Sequence, residues 1–172
     1  MKKIEEITLL EMGSLPTLYH GSPSIVDGLD AKKMVYGIFW TTASKKVALQ
    51  YSKEKYYIKS EFDYIYEVSF SSGLNIANFL DEKNKYFNFV KEWASPWYKS
   101  RTGKDLDTET FLKDYADFGY IEGNPNIVKA LKAKYVDLII CKDANYVQKH
   151  ISYGFINKNK IVGLELVESI KR

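Results

Sequence analysis

Leu18-Tyr19-His20-Gly21-Ser22, followed by Tyr36-Gly37-Ile38-Phe39-Trp40-Thr41-Thr42 and the run Ser44 to Ser52, is the stretch whose reading decides the fold. Thr17 to His20 favours β structure and the Gly21-Ser22-Pro23 turn ends it, so His20 stands at a strand-to-loop corner. Val35 to Thr42 is rich in β-branched and aromatic residues and reads as a second strand. Thr42-Ala43-Ser44 then offers oxygen caps to a short helix over Lys45 to Tyr51, where Val47, Ala48 and Tyr51 share one face. A histidine at a corner, a Gly-aromatic strand and a helix ending in tyrosine form a binding-cleft pattern.

On either side of this stretch the pattern is that of a mixed domain. Ile4, Ile7 and Leu10 predict a short leading helix over Ile4 to Met12, broken by Gly13, Ser14 and Pro16. Ser24 to Met34 has no sustained period and reads as a loop. Phe62 to Phe70 alternates as a half-exposed strand, with Tyr64, Tyr66 and Val68 on one face and Ile65, Glu67 and Ser69 on the other. Leu74 to Phe79 resumes briefly as strand or loop.

Asp81 to Tyr98 places Tyr86, Phe87, Phe89, Val90, Trp93 and Trp97 at helical spacing, up to the region of Pro96. A polar linker over Lys99 to Asp107 and a helix from Thr108 to about Phe118 follow. Asn124-Pro125-Asn126 opens a further helix to Lys134, proline being tolerated in the first turn. Val136 to Cys141 reads as a buried strand, and Tyr153 to Asn157 and Lys160 to Val167 as two closing strands. The fold class is therefore α+β, one domain over residues 1–172, mainly antiparallel strands at both ends and a helical insertion over 81–134.

A chain of 172 residues can bury about two-thirds of its unfolded surface without staples. At 45% hydrophobic and 27% charged residues the composition is that of a globular protein rather than a disordered one. No apolar run approaches the roughly 20 residues of a membrane helix, and Met1 to Glu6 lacks the apolar stretch of a secretion signal, so a cytoplasmic location with no membrane partner is expected. The single cysteine, Cys141, excludes an internal disulfide and reads as an inert buried side chain. With His20 and His150 as the two histidines, no metal site is expected.

A net charge of +3, with lysines spread along the chain, is weak support for nucleic-acid binding, although the 14 tyrosines suit a ligand cleft or a partner surface as well as a core. His20 alone fits either a structural histidine or a ligand contact. Its neighbours favour the second. Gly21 lets a ligand approach the backbone, whose N–H and C=O can pair with a primary amide, and Ser22 adds a hydroxyl. Tyr36, Phe39, Trp40 and Tyr51 supply aromatic faces for a flat ring, or else belong to the core.

The segments Leu18 to Ser22, Tyr36 to Trp40 and Ser44 to Tyr51 resemble the first two motifs of the ADP-ribosyltransferases of the diphtheria-toxin and poly(ADP-ribose) polymerase branch. The resemblance implies a split antiparallel β-sheet clamped around NAD as substrate, and a mono-ADP-ribosyltransferase of toxin or phage-effector type. In that family His20 would bond the ribose hydroxyls, Gly21 would pair with the nicotinamide amide, and Tyr51 would stack on the nicotinamide ring. Ser22, Phe39 and Thr41 complete the implied NAD-binding set. The implied partners are a protein or nucleic-acid acceptor of ADP-ribose and, for toxin-type members, a neutralising antitoxin.

The third motif departs from the family. Ile151 to Asn157 has the shape of the late strand that a glutamate opens, yet Ser152 occupies the acidic position and cannot supply its charge. Gln148 or Asp143 takes over the orienting work, or Glu165 is the third residue in a shifted register, or the domain is a catalytically inactive relative that binds a protein partner. Glu165 also fits a solvent-facing strand position between Leu164 and Leu166, and His150 fits either the cleft or the surface. The helical middle matches no motif and is where target recognition is expected.

Overall fold

The computed structural model describes residues 15–27, 37–54, 60–143 and 150–172. The leading helix expected over Ile4 to Met12, most of the loop before Met34, Tyr36 and Gln148 lie outside the described residues. The strands are β1 (Leu18–Ser22), β2 (Phe39–Thr42), β3 (Phe62–Phe70), β4 (Ile76–Asn78), β5 (Leu138–Asp143), β6 (His150–Phe155) and β7 (Ile161–Lys171). The helices are α1 (Lys45–Glu54), α2 (Phe87–Thr102), α3 (Thr108–Thr110), α4 (Phe118–Glu122) and α5 (Pro125–Ala133), with a π-helical turn over Phe111–Tyr115 and a 3-10 turn over Lys158–Lys160.

The strands form one sheet in the order β4-β5-β6-β2-β1-β3-β7. Every neighbouring pair is antiparallel except β4/β5. The α+β class read from the sequence is the class found, with α2 to α5 entering between β4 and β5. Alternation along β5 divides the core between the two faces of the sheet. Ile139 and Cys141 join Phe87, Phe111, Ile121, Leu131 and other residues of the helical region, whereas Leu138 and Ile140 join Leu18, Phe39, Val68, Tyr153 and Phe155. Cys141 is buried, and burial drives its thiol well above the ordinary cysteine range, so it stays protonated.

Three local expectations change. β1 runs on through Gly21 and Ser22, because these residues pair with Ile65 and Tyr64 of β3 instead of turning away. In β3 the register shifts between Ile65 and Tyr66, so that Asp63 and Ile65, then Tyr66 and Val68, are buried. A bulge of this kind breaks the two-residue period that the alternation assumed. α2 continues past Pro96 to Thr102 and stops at Gly103, whose φ of 71° lets its N–H reach the Lys99 carbonyl at 2.8 Å. The turn after the proline is held by Trp97 and Tyr98 packing edge-on against Tyr115.

The strands at the centre of the sheet part from one another. β1 pairs with β3 from Leu18 to Ser22, but among the described residues it registers with β2 at Tyr19↔Thr42 alone. β2 in turn pairs with β6 along its length, Phe39↔Phe155 to Thr42↔Ser152. Past Tyr19, the main-chain groups of β1 that face β2 stand outside the β1/β2 ladder. α1 follows β2 directly, with Val47 N donating to Ser44 Oγ at 3.4 Å as the caps predicted. It packs on β1 so closely that a Cβ built on Gly21 would lie 1.7 Å from the Ala48 carbonyl oxygen.

Candidate functional site

The histidine of the opening stretch bridges the parted strands. His20 Nδ1 lies 2.9 Å from the Trp40 carbonyl of β2, and a carbonyl can only accept, so Nδ1 carries the proton and Nε2 is the acceptor nitrogen of the neutral ring. The imidazole also stacks on Phe39, with centroids 4.3 Å apart and planes 28° from parallel. Phe39 is itself part of the core.

Gly21 alternates with His20 along β1 and turns its open Cβ direction to α1. The close approach that requires glycine here is made by the helix backbone. Ser22 is buried and its hydroxyl accepts from Ser24 N at 3.3 Å. Thr41 is buried and donates to the Tyr153 carbonyl at 2.9 Å. The structure therefore gives both hydroxyls backbone partners at these positions.

Tyr51, near the end of α1, reaches a polar cluster at the ends of β5 and β6. Its hydroxyl donates to Asp143 Oδ2 at 2.6 Å and lies 2.8 Å from His150 Nε2. A phenol has one proton, which goes to the carboxylate, so His150 Nε2–H is the donor in the second bond. The Tyr51 and His150 rings meet edge to face at 5.5 Å. Ser152 Oγ stands 3.3 Å from the same Nε2, which is 3.9 Å from Asp143 Oδ2.

Sheet register explains the assembly: Asp143 lies opposite His150, and Ser152 lies opposite both Cys141 and Thr42. Asp143 is 0% exposed, Ser152 2%, and the His150 side chain 8%. A relay in the manner of a serine hydrolase does not fit, since serine, tyrosine and carboxylate all face one nitrogen rather than opposite sides of the ring. What the cluster does is hold the Tyr51 ring rigidly by its hydroxyl next to a buried carboxylate.

Of the residues nominated by the sequence, Tyr51 and Ser152 are thus brought together through His150, and His20 is brought to Phe39. His150, for which a surface position was the competing reading, is inside the cluster. Its two-residue spacing from Ser152 on one strand is the sequence signal that places them on one face. Glu165 is exposed on β7 opposite Glu67, with β3, β1 and β2 between it and β6. Trp40 Nε1 is buried without a hydrogen-bond partner.

Among the described residues no group of three or more histidine, cysteine, aspartate or glutamate side chains could hold a metal ion, and no helix is long and apolar enough to cross a membrane. Comparison of the chain with protein-family models, with curated proteins and with solved structures returns no match.

Proposed function

We propose that this chain is an ADP-ribosyltransferase-like domain that binds NAD between β1 and β2 and transfers its ADP-ribose to a macromolecular acceptor. The reading rests on the resemblance of Leu18 to Ser22 and Tyr36 to Tyr51 to the first two motifs of that family. One geometric observation carries it past the missing glutamate: the buried carboxylate of Asp143 stands beside Ser152 and 2.6 Å from the hydroxyl of Tyr51.

In this reading the Nε2 acceptor of His20 takes a ribose hydroxyl, and main-chain groups of β1 beyond the β1/β2 ladder pair with the nicotinamide amide. Tyr51 stacks on the nicotinamide, and the hydrogen bonds from its hydroxyl fix the ring plane. The glycosidic bond breaks with its electron pair leaving on nicotinamide, positive charge develops at the ribose carbon, and the acceptor nucleophile attacks there and loses its proton. Asp143 acts as a positioning residue that also lends a negative field; electrostatic stabilisation and orientation supply the rate.

A second reading, an inactive relative that serves as a protein-binding module, is favoured by the burial of both Asp143 and Ser152, which leaves no carboxylate open at the third-motif position. Labelled NAD incubated with the chain and a cell lysate separates the two. Transfer of label that His20→Ala abolishes and Asp143→Asn reduces supports the transferase. NAD binding by calorimetry without label on any acceptor selects the binding module, and a chain that neither binds nor consumes NAD overturns the NAD site.

A further inference from the structure

A second candidate site lies in the helical region, away from any residue used above. Trp97, Tyr98 and Arg101 of α2, Asp114 and Tyr115 of the π-helical turn and Tyr120 of α4 line a cavity of about 420 Å3. That volume is within the roughly 300–1,000 Å3 of small-molecule sites. Tyr115 is its centre and meets Trp97 at 5.8 Å, Tyr98 at 6.1 Å and Tyr120 at 5.0 Å, each edge to face.

Tyr115 is only 6% exposed, yet its hydroxyl makes no hydrogen bond with any described residue. A hydroxyl withdrawn from water without a partner is costly, and a ligand in the cavity would satisfy it. Burial raises the Tyr115 phenol above its ordinary range and pushes Tyr120 up to about 12, so both remain O–H groups able to donate and accept. The Arg101 guanidinium sits over the Trp97 ring at 4.5 Å and offers donors, while Asp114 offers acceptors.

A simple cation is a poor match, because Arg101 already occupies the face of Trp97. A simple anion is opposed by Asp114. What suits aromatic walls, a guanidinium, a carboxylate and ambivalent phenols together is a flat heteroaromatic ring with acceptors and donors on its edge. Guanine has this set, O6 and N7 for arginine and N–H groups for a carboxylate.

We infer that this cavity binds a nucleobase, guanine in preference to the others, supplied by a free nucleotide or by a single strand. The cavity is joined to the other site through Lys142, whose N–H donates to the Ala116 carbonyl at 3.0 Å, one residue before Asp143. The inference does not depend on NAD chemistry.

The test is titration of the full chain with guanosine monophosphate by calorimetry, and with a labelled guanine-containing single-stranded oligonucleotide by anisotropy. Tyr115→Phe keeps the packing and removes the hydroxyl, and Asp114→Asn removes the charge from an exposed position. Each is expected to weaken binding about tenfold, the loss of one good hydrogen bond, with the far-ultraviolet circular dichroism unchanged. Saturable binding of the mononucleotide assigns the source as free nucleotide, and binding of the oligonucleotide alone assigns it as a strand, both supporting the site. Binding of neither, affinity indifferent to both variants, or preference for a trimethyl-lysine peptide overturns it.

Discussion

Tyr51 donates its phenol proton to Asp143 at 2.6 Å across 92 residues of chain, and the two belong to an element on each side of the helical region. The contact joins the end of α1 to the end of β5. With His150 donating to the same oxygen at 2.8 Å, the ring of Tyr51 has a fixed position and a buried negative charge behind it. The serine at the third-motif position is one member of this cluster, not an isolated replacement.

Restoring the family's acid at that position is therefore expected to fail. Ser152→Glu would force a second carboxylate into a site that is 2% exposed and already holds Asp143. An uncompensated buried charge costs about 3–5 kcal/mol, against about 1 kcal/mol for Ser152→Ala, which loses only the long contact to His150. Urea denaturation of the two variants measures the difference, and a Ser152→Glu chain as stable as the parent would contradict the buried cluster.

Gly21 tests the packing of α1 on β1. Alanine there puts a methyl 1.7 Å from the Ala48 carbonyl oxygen, and backbone on both sides must move. The expected loss is about 3 kcal/mol or more, at the upper end of overpacking effects. Since Tyr51 is carried by the same helix, the fluorescence or NMR signature of the Tyr51–His150 contact should shift as well. A midpoint within error of the parent would show that helix and strand are farther apart than described.

The end of β7 is tied to α1 through Asp63. Arg172 Nε and Nη2 donate to Asp63 Oδ1 at 3.0 and 2.8 Å, Ser52 Oγ donates to the same oxygen, and Arg172 Nη2 also reaches the Ser52 carbonyl at 3.0 Å. Burial alone would raise the Asp63 carboxyl, but hydrogen bonds from Arg172 and Ser52 outweigh it and hold the group below its ordinary value of 3.8. A folded value lower than the unfolded one means that the contribution is complete above pH 3.8 and is lost as the pH falls through the folded value. Arg172→Ala leaves the carboxylate buried with the arginine gone, and the expected cost at neutral pH is about 3 kcal/mol. The gap between the parent and Arg172→Ala should narrow in denaturation curves taken below pH 3.8; a gap that widens in acid would refute the assignment.

Much of the local structure was legible in the residues. The β-branched run at Val136 to Cys141, the caps ahead of Lys45 and the Pro125 helix start lie where the sequence put them, because each depends on neighbours a few positions away. The bulge in β3, the π-helical turn carrying Tyr115 and the passage of α2 through Pro96 did not show. In each, a contact from a distant segment overrides the local period: β7 against β3, and Tyr115 against the turn that follows the proline.

The sequence by itself determined that this is an α+β chain with His20, Gly21 and Tyr51 on adjoining elements, since strand and helix periods and turn residues are local properties. Only the tertiary structure decided that Tyr51, Asp143, His150 and Ser152 share one polar cluster, that Gly21 is needed for a helix backbone, and that the aromatics around Tyr115 enclose a cavity. Those facts depend on which strands pair and in what register, and that choice is made by burial of surfaces far apart in the chain, for which a single sequence carries no local signal.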